Sequence, residues 1–90
     1  RMYSVENPDF SVSLDRARST IGRSSENDVA ISDKTVSRTH AVLEISPNGE
    51  FVLSDNRSSN GTFVNNEQIH ECAVYPGDQI RFGDVEFMVT

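Results

Sequence analysis

Apolar and polar residues alternate with a period of two along much of this 90-residue chain. Phe10, Val12 and Leu14 are separated by Ser11 and Ser13. Ala41, Leu43 and Ile45 fall on one face of a run whose other face carries Val42 and Glu44. Phe51 and Leu53, Ile80 and Phe82, and then Val85, Phe87 and Val89 repeat the rhythm. This is the pattern of half-buried strands, whose side chains point to opposite faces in turn. No window keeps a 3.6-residue period for the length of a helix. Turn sequences separate the runs at short intervals: Asn7-Pro8-Asp9, Pro47-Asn48-Gly49, Asn60-Gly61, Asn65-Asn66, Pro76-Gly77-Asp78 and Gly83-Asp84. Many short strands with frequent turns predict an all-β sandwich or barrel. Residues 22–39 alternate least. Val29-Ala30-Ile31 predicts a short strand there, and the remainder reads as loop. Loops at one end of such a fold are the expected place for binding residues.

Three polar islands interrupt or flank the apolar runs: Gly22-Arg23, Ser37-Arg38-Thr39-His40 and Ser59-Asn60-Gly61-Thr62. Each supplies donors and none supplies an acid. Arg23 and Arg38 bring guanidinium forks, Ser37, Ser59 and Thr62 hydroxyls, and Asn60 an amide. Such a set suits an anion, and a phosphate best, because phosphate presents several acceptor oxygens and close to two negative charges near neutral pH. Each island also has an ordinary explanation. Asn60-Gly61 is a hairpin dipeptide, as is Asn48-Gly49, which has no comparable surroundings. His40 opens an alternating run and is expected to be an inward, hydrogen-bonded structural residue. Ser37 and His40 lack the third orienting group and oxyanion hole of a hydrolase.

Composition narrows the picture. The length suits one domain, burying ~60–70 % of its unfolded surface. The single Cys72 cannot form an internal disulfide and reads as a small buried apolar residue. Two scattered histidines and one cysteine give no metal-ligand spacing, and no phosphate-loop or dinucleotide motif is present. Neither metal nor cofactor is expected, and no catalytic activity. No run is long enough for a membrane helix and no signal peptide is visible. The reading is of an intracellular domain cut from a longer protein and monomeric when isolated. A net charge of −6 argues against nucleic acid. It does not forbid a phosphate ligand, since distant acids are screened beyond ~8 Å while contacting arginines are not. Six of the eight basic residues lie at or before Arg38.

Taken together, the islands and their spacing resemble a forkhead-associated (FHA) domain. The likeness runs through Ile21-Gly22-Arg23, Asn27-Asp28-Val29, Val36 to Ala41, Asp55, Ser59 to Asn65, and Pro76 to Gly83. The resemblance implies a sandwich of two antiparallel sheets with about eleven short strands, binding phosphothreonine peptides through loops at one end. It implies that Arg23, Ser37 and Arg38 contact phosphate, Ser37 through both its hydroxyl and its backbone N–H. It further implies that Ser59 shapes the pocket around the phosphothreonine methyl and that Asn60 bonds the peptide main chain. Gly22, His40 and Gly61 are then structural supports of the loops. Lys34, Thr35, Arg57 and Ser58 become candidates for selecting residues after the phosphothreonine, with Lys34 and Arg57 favouring an acid. One departure is Asn65-Asn66 in place of an Asn-Gly turn, which asparagine can also form. A phosphate-independent interaction domain using a sheet face is the competing reading.

Overall fold

The computed structural model describes residues 1–90 and contains eleven strands and no helix, hence none that could cross a membrane. In chain order they are β1 (Met2–Ser4), β2 (Ser11–Val12), β3 (Arg18–Gly22), β4 (Val29–Ala30), β5 (Ala41–Ile45) and β6 (Phe51–Asp55). Then come β7 (Thr62–Val64), β8 (Glu67–Gln68), β9 (Glu71–Val74), β10 (Gln79–Phe82) and β11 (Val85–Val89). They form a six-stranded sheet in the order β2-β1-β11-β10-β7-β8 and a five-stranded sheet in the order β4-β3-β5-β6-β9. The predicted two-sheet sandwich is therefore present.

The alternation read from the sequence decides which face is inward. Along β5, Ala41 and Leu43 are buried while Glu44 is exposed. Ile80 and Phe82 of β10, Phe87 and Val89 of β11, and Met2 meet Ile21, Leu43, Leu53 and Val74 from the opposite sheet. Phe82 stacks edge-on against Phe87 at 5.9 Å between centroids. Each such fully buried side chain contributes on the order of 1.5–3 kcal/mol.

Three expectations need correction. The Phe10–Leu14 alternation yields only a two-residue strand, β2, at a sheet edge. Cys72 is half-buried rather than fully buried, because β9 is also an edge strand. The sheets are not wholly antiparallel: β4 runs parallel to β3, pairing Ile21 with Val29 and Gly22 with Ala30. Parallel neighbours ordinarily need a crossover of a dozen or more residues. Here a short loop suffices because its side chains hold it. Asp28 accepts from the Thr20 N–H at 2.9 Å, and the Thr20 hydroxyl accepts from the Asp28 N–H at 3.0 Å. The Asn65-Asn66 turn between β7 and β8 has φ of 51° and 69°, as an asparagine pair permits.

The β3–β4, β4–β5, β6–β7 and β10–β11 connections gather at one pole. The Gly83 N–H donates to the Gly61 carbonyl at 3.0 Å, and the Asp84 N–H to the Thr35 hydroxyl at 2.9 Å. β11 runs away from that pole. At its far end Met2 pairs with Val89, and the Thr90 N–H donates to the Arg1 carbonyl at 2.8 Å.

Candidate functional site

Three loops converge because each is tied to the next through backbone groups. The Arg23 N–H donates to the Ser37 carbonyl at 2.9 Å, drawing the β3–β4 loop onto the β4–β5 loop. Asn27 reinforces this seam. Its amide donates to the Arg38 carbonyl at 2.6 Å and the Ser24 carbonyl at 2.9 Å. Gly22 lies beneath, where a Cβ would stand 2.1 Å from the Arg38 oxygen. Only glycine lets the two backbones approach this closely.

His40 is completely buried and joins the second loop to the third. The Ser37 N–H donates to its Nδ1 at 3.0 Å. That leaves Nε2 to carry the hydrogen and donate to the Gly61 carbonyl at 2.8 Å. The ring also packs edge-on against Phe82 at 5.7 Å. One expectation is thereby overturned: the Ser37 N–H is occupied by His40 and is not available to a ligand. The hydroxyl is available. Ser37 Oγ accepts from the Ser59 N–H at 3.0 Å, so its own proton remains free to be donated outward.

Asn60 is similarly held. Its amide donates to the Thr35 carbonyl at 2.8 Å, which fixes the side-chain plane and leaves its oxygen unengaged. Gly61 beside it has φ of 90°, a conformation that disfavours any other residue. The β6–β7 loop is braced from within by Asp55, which accepts from the Ser58 hydroxyl at 2.5 Å and the Thr62 hydroxyl at 2.6 Å.

Two of the candidate selectivity residues turn inward. The Thr35 hydroxyl donates to Asp33 at 2.6 Å and accepts from the Asp84 N–H. The Ser58 hydroxyl donates to Asp55 and accepts from the Gly61 N–H at 3.0 Å. Both hydroxyls are consumed in shaping the loops, although Thr35 still contributes to the wall of the site. Arg57 is exposed with φ of 52° and does not line the site. Lys34 does.

The outcome is a depression of about 240 Å³ lined by Arg23, Lys34, Thr35, Val36, Ser37, Arg38, Ser59 and Asn60. Its electrostatics are one-sided. The sole ion pair in the molecule joins Arg16 to Asp28, so Arg23, Lys34 and Arg38 face the depression with no carboxylate within 4 Å. Elsewhere Arg81 lies over the Phe63 ring at 3.8 Å and donates to the Gly83 carbonyl, taking no part. Three concentrated cations beside an outward hydroxyl and an amide can hold a multiply charged oxyanion. No group of three or more potential metal-ligating side chains occurs.

Sequence reasoning gave no role to Val36, Asn27 or Asp55. Val36 is the only apolar residue lining the depression. Its position between Thr35 and Ser37 carries no periodic signal. Asn27 and Asp55 act on backbone and hydroxyl groups of other loops, which no local pattern reveals.

Asp55 also makes the loop acid-sensitive. Burial pushes its carboxyl up, but hydrogen bonds from Ser58 and Thr62 outweigh this and hold it below the ordinary range. A folded value under the unfolded one stabilises the fold above about pH 4. That stabilisation is lost as pH falls through the folded value. In denaturant titrations at a series of pH values, wild type should exceed Asp55→Asn at neutrality, with the gap closing in acid. A gap independent of pH would contradict this account.

The FHA domain family model matches residues 19–83. The chain is 43% identical over 70 residues to the oxoglutarate dehydrogenase inhibitor of Corynebacterium glutamicum, covering 78% of this chain and 48% of that protein. It is 39% identical over 70 residues to the glycogen accumulation regulator GarA of Mycobacterium tuberculosis, covering 78% and 43%. The chain thus spans about half or less of the length of these relatives. Among solved structures it resembles the FhaA FHA domain complexed with the intracellular domain of Rv3910, with a TM-score of 0.89 and 29% identity over 97% of this chain and 94% of that one. Mycobacterium tuberculosis EmbR in complex with a low-affinity phosphopeptide matches with a TM-score of 0.89 and 34% identity, over 97% of this chain and 23% of that one.

Proposed function

The chain belongs to the FHA domain family, and from that premise we propose that it is a phosphothreonine-dependent protein interaction module, binding a phosphorylated segment of a partner or of its own parent chain. The observation that carries the reading is the uncompensated triad Arg23, Lys34 and Arg38 around the Ser37 hydroxyl and Asn60. Arg23 and Arg38 grip the phosphate, and the Ser37 hydroxyl donates a further bond. Asn60 reads the peptide main chain through its unengaged amide groups. The phosphothreonine methyl packs beside Ser59. Lys34 favours an acidic residue after the phosphothreonine. The domain acts by binding, without catalysis, and its setting is intracellular.

The decisive experiment titrates one threonine peptide with and without its phosphate, and with phosphoserine in its place. Phosphate should be required. Phosphoserine should bind more weakly, by the order of 1 kcal/mol that burying one methyl contributes. Equal binding of the unphosphorylated peptide would replace the proposal with the phosphate-independent reading.

Binding should also tighten as pH rises through about 6, where phosphothreonine becomes a dianion. The same titration repeated between pH 5 and 7.5 measures this, and a flat profile would count against dianion recognition.

A further inference from the structure

A second depression, of about 510 Å³, adjoins the first. It is lined by Arg23, Ser24, Glu26, Arg38 and Thr39, so the two share only the arginine pair. Lys34 and Asn60 do not reach it. It is about twice as large as the phosphate cup, and its lining adds an acid, Glu26, to the two arginines. Glu26 is exposed there, its carboxylate accepts no hydrogen bond, and no cation lies within ion-pairing distance of it. The two guanidinium groups are therefore flanked by a base, Lys34, on one side and an unpartnered acid on the other.

Resting on the phosphothreonine reading, we propose that this second depression is a selectivity subsite for residues preceding the phosphothreonine, in which Glu26 favours a basic side chain and rejects an acidic or second phosphorylated one. Once phosphate neutralises Arg23 and Arg38, Glu26 is the net charge remaining on that wall. A ligand lysine or arginine there gains an ion pair and hydroxyl acceptors from Ser24 and Thr39. A carboxylate or phosphate meets like charge. Rejection matters as much as attraction, because specificity is a difference between affinities. The preferred ligand is consequently dipolar, basic before the phosphothreonine and acidic after it.

The test holds phosphothreonine and all following residues fixed and places Lys, Ala, Asp or phosphothreonine at each preceding position in turn. Wild type should prefer Lys to Asp by about two- to fivefold at one position, as an exposed charge pair permits. A second phosphothreonine there should bind more weakly than Ala. Glu26→Lys should reverse the order, and Glu26→Gln should flatten it. The Glu26 side chain makes no internal contact through its carboxylate, so both variants should fold. Equal binding of the whole series by wild type, or an unchanged ranking in Glu26→Lys, would overturn the subsite while leaving phosphothreonine recognition intact. Failure of even the Ala peptide to bind would overturn the parent reading and this one with it.

Discussion

Replacing Arg23 by alanine is expected to weaken phosphothreonine-peptide binding by about 2–5 kcal/mol, which is thirtyfold to several thousandfold. The argument rests on where the residue's energy goes. In the free protein the guanidinium is exposed and unpaired, so its removal takes no contact from the fold. Stability should hold, or rise slightly as repulsion from Arg38 and Lys34 is relieved. In the complex proposed above the phosphate would cover it, and the lost contact would be a desolvated, charge-assisted one. Arg23→Lys should recover only part of the loss, since an ammonium keeps the charge without the planar fork. Isothermal titration alongside denaturant melts separates the two quantities. Wild-type affinity in Arg23→Ala would remove the central contact from the proposal.

His40→Ala should behave in the opposite way, lowering stability by about 2–5 kcal/mol. The substitution leaves a cavity against Phe82 and deprives the half-buried Ser37 N–H of its acceptor. The Gly61 carbonyl keeps its bond from the Gly83 N–H, so the deficit falls mainly on the β4–β5 loop. Binding should weaken as well, even at temperatures where the variant is folded, because the same ring fixes the distance between Ser37 and the loop bearing Asn60. A denaturation midpoint equal to that of wild type would refute the anchoring role.

These two residues illustrate what the sequence makes legible. His40 stands one residue before β5, where a strict period of two would place it on the face of Val42 and Glu44; it is buried instead because the β4–β5 loop turns it between Ser37 and Gly61. The core residues Leu43, Leu53, Ile80 and Phe87 do follow from a period of two. Arg23, Ser37, Arg38, Ser59 and Asn60 were recognisable as a donor set because no acid accompanies them, and the fold brings them to one depression. Loop interiors are another matter. Whether a hydroxyl faces a ligand or a neighbouring loop depends on long-range partners. Thr35 and Ser58 look as available as Ser37 in sequence, yet Asp33, Asp84, Asp55 and Gly61 use their hydrogen-bonding capacity. Val36 gives no sign of its place in the wall, and Glu26 none of its place across the arginine pair. Each acquires meaning only when segments distant in sequence meet.

The pairing of the first and last strands has a mechanical consequence. Residues 1 and 90 sit side by side on antiparallel neighbours, at the pole away from the recognition loops. Tension applied between them would not shear the whole β1–β11 ladder at once. It would unzip the rungs singly, starting at Arg1–Thr90 and reaching Ser4–Phe87 last. Stretched by those handles, the sandwich should give way at low force, and the peptide grip, at the opposite end, should be the last part to feel the load.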